Sequence, residues 1–264
     1  MPTVTVSPRL IIHYNDPNPT GSPGVLLIHG LGATGESWNL QVPRIIQAGF
    51  RPITPDVRGF GKSSYPGGKN SISIMSSDLV FLLKYLETGP VYVVGISLGG
   101  TIALQLALDY PDQVAKLVLI NTFASLRPDK LGVWVYFAFR FLLVHTLGLP
   151  TQARAVARRI FPRDDQESLR KLLIEQVIQS NPRGYRATMR ALGVFNVTSR
   201  LKEIHTPTLI ITGDSDTTVP PRNQQVLVKG ITNARQITVS GAGHALTIEK
   251  SEEFNKFLLD FLHT

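Results

Sequence analysis

The apolar run Val91-Tyr92-Val93-Val94 leads into Gly95-Ile96-Ser97-Leu98-Gly99 and then into the helix-like stretch Gly100-Thr101-Ile102-Ala103-Leu104-Gln105-Leu106-Ala107-Leu108. A strand that passes into a helix through G-x-S-x-G forces its serine into a tight, strained turn, with the hydroxyl exposed at the carboxyl edge of a sheet. Side chains at 95 and 99 would collide with the neighbouring strand and helix, and Gly100 lets the start of the helix pack closer still. The helix N-terminus presents free N–H groups and the positive end of its dipole where a negative oxygen would form. The segment predicts a strand-turn-helix unit that carries Ser97 as a nucleophile.

A serine hydroxyl needs a base, and the chain offers His13, His29, His145, His205, His244 and His263. Only His244 is well placed. It follows the apolar run Ile237-Thr238-Val239 and the small turn Ser240-Gly241-Ala242-Gly243, and it precedes the amphipathic segment that closes the sequence. This puts an imidazole on a loop just past a strand end. An acid is expected between serine and histidine, after another strand, and Pro207-Thr208-Leu209-Ile210-Ile211-Thr212-Gly213 provides that strand. Asp214 and Asp216 both follow it, and either carboxylate could hold the imidazole; the chain order is Ser, acid, His.

Three further segments resemble those of the α/β-hydrolase superfamily, and its serine carboxylesterase-like branch in particular. Gly213-Asp214-Ser215-Asp216-Thr217-Thr218-Val219-Pro220 is similar to the family's G-x-x-D-x-x-V-P loop. There the later aspartate holds the histidine, so the resemblance implies Asp216 as the acid and leaves Asp214 as a turn residue. His29-Gly30-Leu31-Gly32, after the apolar strand Gly24-Val25-Leu26-Leu27-Ile28, is similar to the H-G-x-G segment. That implies an oxyanion hole made by the backbone N–H groups of Leu31 and Leu98, with His29 bracing the loop. Asp56-Val57-Arg58-Gly59-Phe60-Gly61-Lys62-Ser63-Ser64 resembles the D-x-R-G-x-G-x-S loop of epoxide hydrolases, dehalogenases, cofactor-free haloperoxidases and esterases. Its Asp56 and Arg58 are read as an internal ion pair. Epoxide hydrolases and dehalogenases use a carboxylate at the elbow, and Ser97 disfavours both. Some relatives carry the acid one strand earlier, but that position here is Asn121, which is no carboxylate.

At 264 residues the chain can build one large core, and its 43% hydrophobic and 17% charged content is ordinary for a globular enzyme. Absence of cysteine excludes disulfides, thiolate nucleophiles and thiolate metal sites. The first residues lack the charged head and apolar stretch of a signal peptide, so a cytoplasmic enzyme is expected. Strands alternate with helices, as in an α/β fold with a mostly parallel sheet covered on both faces. Two short strands near 3 to 14 should form an antiparallel edge, followed by strands near 25–28, 51–54, 91–94, 115–120, 207–212 and 235–239, eight in all. Residues 122 to 205 break the alternation and read as a helical cap inserted into a core of residues 1–121 and 206–264.

The formal charge of +8 lies in that cap, where 14 Lys and Arg face 6 Asp and Glu; the remainder carries 13 of each. The plainest reading is a solvated helix face that includes Arg154, Arg158, Arg159 and Arg163, with steering of anionic substrates or lipid surfaces as a second reading. No recognition motif accompanies the charge, and nucleic acid is not expected as a partner. The cap opens with five aromatics in eight positions from 134 to 141. Trp134, Phe137 and Phe141 are candidates to line an apolar substrate pocket. With Arg140 inside it, the run is short of the roughly 20 apolar residues of a membrane span.

The expected function is hydrolysis of a small-molecule carboxylic ester through an acyl-enzyme, with no metal or organic cofactor and apolar short- to medium-chain substrates favoured. The same residues would also serve a C–C bond hydrolase or enol-lactonase, a perhydrolase or haloperoxidase, or a ligand receptor with negligible turnover.

Overall fold

The computed structural model describes residues 2–126 and 131–264, the side chains of 131–134, 136 and 137 excepted. Its strands are β1 Thr3–Ser7, β2 Leu10–Asn15, β3 Gly24–Ile28, β4 Arg51–Pro55, β5 Val91–Ile96, β6 Val114–Ile120, β7 Thr208–Gly213 and β8 Ala234–Val239. They form one sheet in the order β1-β2-β4-β3-β5-β6-β7-β8. The β1–β2 and β2–β4 pairs are antiparallel, and every pair from β4 onward is parallel. All residues of β3 and β7 are buried, the continuous apolar signature of strands covered on both faces. β8, at the far edge, is only partly covered.

The helices are α1 Val42–Gln47, α2 Ile72–Tyr85, α3 Leu98–Asp109, α4 Leu131–Thr146, α5 Gly148–Ile160, α6 Glu167–Gln179, α7 Pro182–Val194, α8 Pro221–Gly230, α9 Leu246–Glu249 and α10 Ser251–His263. Alternation along each strand sends successive side chains to opposite faces. Val25 and Leu27 join Val94, Val118 and Leu209 on the face covered by α1 and α10, where Trp38, Phe254 and Phe261 pack. Leu26 and Ile28 join Val93, Leu117 and Ile210 on the other face, against α2 and α3. α2 starts where the Ser71 hydroxyl accepts from the Ile74 N–H, and α7 where the Asn181 side chain accepts from Arg183 and Gly184 N–H just before Pro182.

The order in which strands are added reverses at β3: the next strand, β4, lies on one side and β5 on the other. Such a switch point opens a crevice beyond the carboxyl ends of the strands, where open α/β sheets place their ligands. Between β6 and β7 the described residues form α4, α5, α6 and α7. A single bridge between Ser125 and Asn196, with the Val197 N–H donating to Ala124 O at 2.9 Å, ties the two ends of this insertion together.

Candidate active site

Ser97 follows β5 and caps α3 with φ 53° and ψ −114°, a positive-φ conformation that is uncommon for a residue with a Cβ. Such strain costs of order 1–3 kcal/mol and persists only where the surroundings over-determine it. Here the Ser97 N–H donates to Ile120 O at 3.0 Å, and its carbonyl accepts from the Thr101 N–H at 3.1 Å and the Thr122 hydroxyl at 2.7 Å. The flanking glycines have no room to be anything else. A Cβ on Gly95 would strike the Gly99 carbonyl, one on Gly99 would strike that of Ile28, and one on Gly100 would press on the Thr122 side chain.

Asp216 and His244 stand on the loops after β7 and β8. Asp216 Oδ2 lies 2.7 Å from His244 Nδ1, and Asp216 Oδ1 accepts from the Thr218 N–H at 2.7 Å and the Val219 N–H at 2.9 Å. The carboxylate is thus fixed at both oxygens, and its side chain is fully buried. A carboxylate can only accept, so Nδ1 carries the proton and Nε2 keeps its lone pair. Asp214 is different: it is exposed, accepts from the Ser215 hydroxyl and the Gly241 N–H, and does not touch the imidazole. The bond from Ser215 and the Gly241 amide hold its carboxyl below the usual range.

His29 is fully buried. Its Nδ1 lies 2.8 Å from Gly30 O, and its Nε2 accepts from the Val57 N–H at 2.9 Å, so the ring braces the Leu31 loop against the loop after β4. Burial pushes its pKa down, against the smaller opposing pulls of Asp56 and the Gly30 carbonyl. The folded state therefore keeps this ring neutral while the unfolded chain takes up a proton near pH 6.5. Stability from this source is complete above that pH and declines as pH falls below it. His29→Gln is expected to lose less unfolding free energy between pH 7.5 and 5.0 than wild type, as read by urea denaturation at both pH values; equal losses would overturn this.

The expected pairing of Asp56 with Arg58 is corrected by the structure. Asp56 Oδ2 faces His13 Nδ1 at 3.0 Å and accepts from the Lys62 N–H, while Oδ1 accepts from the Gly35 N–H. Arg58 instead reaches Asp78 of α2 through Nε and Nη2, both at 2.5 Å, and all four side chains are buried. The physical reason is that the backbone amides of Gly35 and Lys62 and the His13 ring engage both oxygens of Asp56, while α2 brings the Asp78 carboxylate to the guanidinium.

Ser97, His244, Gly30 and Leu31 border one cavity of about 510 Å³. Its walls are mostly apolar, with Trp38 and Ile96 from the core side and Phe123, Val156, Phe161 and Leu173 from the insertion. Leu98 is wholly buried at the start of α3. Of the aromatic candidates, Trp134 and Phe137 have side chains outside those described. Phe141 is 42% exposed and stacks on His145 at 4.1 Å between ring centroids, away from the cavity; the adjacent Arg140 borders it instead. A step of one residue turns a helix by about 100°, and α4 is apolar enough around its circumference that the pattern did not mark its inner face. Arg140 is buried, and with the Gln152 amide oxygen turned to it, Nη2 and Nε donate at 2.8 and 2.9 Å. Among the described residues no group of three or more His, Asp or Glu is gathered to hold a metal ion.

Known proteins resemble this chain along nearly its whole length. RutD of Variovorax paradoxus (strain S110), which carries the name of a carbamate hydrolase, is 31% identical over 259 residues, spanning 95% of this chain and 96% of that protein. The enol-lactonase of Burkholderia xenovorans LB400 superposes with a TM-score of 0.90 at 25% identity and covers all of both chains. The bromoperoxidase of Bacillus anthracis superposes with a TM-score of 0.87 at 31% identity over 97% of this chain and 96% of its own. A family model described as the alpha/beta hydrolase fold matches residues 23–251, from the strand before the Leu31 loop to the start of the last helix, and the chain belongs to that family.

Proposed function

We propose that this chain is a serine hydrolase that cleaves carboxylic esters through an acyl-enzyme, with apolar short- to medium-chain acyl groups preferred. The observation that carries this reading is the Asp216–His244 pair opening, together with Ser97, on a largely apolar cavity of about 510 Å³. That volume falls within the roughly 300–1,000 Å³ of small-molecule pockets. In this reading residues 122–205 form a cap over residues 1–121 and 206–264, and the cap walls exclude water from the reacting carbonyl.

His244 Nε2 takes the proton of Ser97 Oγ as that oxygen bonds to the carbonyl carbon. The carbonyl oxygen becomes an oxyanion between the N–H groups of Leu31 and Leu98; one such donor is typically worth about 10² to 10³ in rate. His244 then passes its proton to the leaving alkoxide, the C–O bond breaks, and the Ser97 ester remains. A water gives one proton to His244 and attacks that ester; the bond from Ser97 Oγ to the acyl carbon then breaks, His244 returns the proton to Oγ, and the acid leaves. Asp216 holds the imidazole tautomer throughout and stabilises the imidazolium.

The similarity to RutD supports a second reading, carbamate cleavage, in which the same oxyanion geometry would receive a carbonyl flanked by nitrogen. One measurement separates the two: kcat/KM for p-nitrophenyl esters from acetate to palmitate beside a p-nitrophenyl N-alkylcarbamate and an enol lactone. The ester reading expects a maximum at short to medium chains, at least about tenfold above the other two classes, because each buried CH₂ contributes about 0.8 kcal/mol until the cavity is full. A maximum on the carbamate or lactone overturns the ester preference, and no turnover of any overturns the enzyme reading.

A further inference from the structure

Asn121 is the first residue beyond β6, fully buried, with φ 43°. Its side chain makes three hydrogen bonds. Nδ2 donates to Gly243 O at 2.9 Å and to His244 O at 3.0 Å, and Oδ1 accepts from the Gly213 N–H at 2.9 Å. Its own N–H donates to Ile211 O at 3.2 Å. Two of these partners lie on the loop that carries His244, and the third lies three residues before Asp216.

The position of these bonds gives them their importance. Ladder pairing of β7 with β8 ends at Gly213 and Val239, so the residues that present Asp216 and His244 lie beyond the sheet. A backbone bond from the Ser215 N–H to Ala242 O at 3.0 Å joins the two loops directly. The Asn121 carboxamide adds a clamp anchored to the end of β6, beside the strand that carries Ser97. Only an amide of this length suits the place: it offers two donors to two carbonyls at one end and an acceptor to an N–H at the other. Asn also tolerates the left-handed backbone better than other residues with a side chain.

We infer that Asn121 is a positioning residue for the proposed reaction, holding the Asp216 and His244 loops in register with each other and with Ser97. The inference rests on the Ser97–His244–Asp216 reading above. It makes no contact with substrate and acts only through the two loops, so it should set kcat and leave KM nearly unchanged. Small displacements of a base can cost about 10² in rate.

Two variants and one label test it. Asn121→Gly accepts φ 43° without a Cβ penalty and removes the carboxamide together with its Cβ. It is expected to lower kcat about 10- to 100-fold with KM within about twofold. Asn121→Asp keeps the volume. Ionised, it sets a negative oxygen against two carbonyls; protonated, it can donate to one of them and still accept from Gly213. Its kcat relative to wild type should therefore rise as pH falls. Asp214 and Asp216 on the β7 loop, His244 on the β8 loop and Glu249, which accepts from the Gly243 N–H at 2.8 Å, are the titratable groups around this residue and are common to both proteins, so the ratio reads residue 121. A residue that served folding alone would leave that ratio flat. If Asn121→Gly does not fold, by thermal unfolding, the pH ratio of Asn121→Asp decides. Labelling of Ser97 by a fluorophosphonate keeps two failures apart. An unlabelled wild type overturns the Ser97 reading and this inference with it. A labelled wild type, matched in rate by both variants with a flat pH ratio, overturns the Asn121 role alone.

Discussion

Ser97→Ala is expected to lower kcat for the preferred ester by a factor on the order of 10⁶, the loss seen when the serine of a protease triad is removed. The substitution is clean because alanine keeps the Cβ. The strained φ of 53°, the bonds of the Ser97 backbone to Ile120, Thr101 and Thr122, and the packing of Gly95 and Gly99 around the turn are all backbone features that survive it. Only the oxygen that would bond to the carbonyl carbon is lost. The N–H groups of Leu31 and Leu98 remain, so a residual rate of about 10³ to 10⁴ over water is expected from oxyanion binding and substrate binding alone. The measurement is kcat with excess enzyme, referenced to the unfolding temperature of both proteins. A variant that retains activity within tenfold of wild type at an unchanged unfolding temperature would remove Ser97 from the mechanism.

Where the site was legible in the sequence, its signals were local. Gly95, Ser97 and Gly99 share five residues, Asp216 sits three beyond a strand end, and His244 follows a glycine-rich turn. A strand fixes direction and a short loop fixes reach, so such groups gather at the carboxyl edge once the strands pair. The eight strands were legible for a related reason: β3 and β7 are apolar runs of strand length between turn residues, whereas the apolar stretch within residues 122–205 runs on at helix length from Leu131 to Val144. Among the described residues there, the isolated Ser125–Asn196 bridge departs from an all-helical reading.

Illegible features depend on pairs far apart in the chain. Asp56 pairs with His13, 43 residues away, and Arg58 with Asp78, 20 residues away and on a helix; the spacing of 56 and 58 contains neither partner. The cavity wall is assembled from separate pieces, Trp38 near the start of the chain and Val156, Phe161 and Leu173 in the insertion. Phe141 shows how an apolar helix defeats pattern reading. When most faces are apolar, periodicity no longer says which one turns inward, and here Arg140 borders the cavity while Phe141 stacks on His145 outside it. Asn121 was legible only as a position that cannot supply an acid; its three partners lie 92 to 123 residues further on.

The tautomer argument gives the second large effect, a fall of about 10⁴ in kcat for Asp216→Asn, with KM little changed. The side chain at 216 faces three donors in wild type: the N–H groups of Thr218 and Val219 on Oδ1, and His244 Nδ1–H on Oδ2. An asparagine must assign its one oxygen and its NH₂ among them. Turning the NH₂ toward Thr218 and Val219 would set donors against two fixed backbone donors in a buried place, where each unsatisfied group costs about 1–3 kcal/mol. The oxygen therefore stays with the backbone, and the NH₂ meets Nδ1. That nitrogen becomes the acceptor, the proton moves to Nε2, and the face turned to Ser97 has a hydrogen where it needs a lone pair. Loop geometry survives while the base is switched off, so fluorophosphonate labelling of Ser97 should slow in parallel with kcat. Because the defect is a misplaced proton, raising the pH toward 10 should recover part of the rate as the imidazole is bypassed by hydroxide. A variant that labels Ser97 at the wild-type rate would show that Asp216 does not set the tautomer of His244.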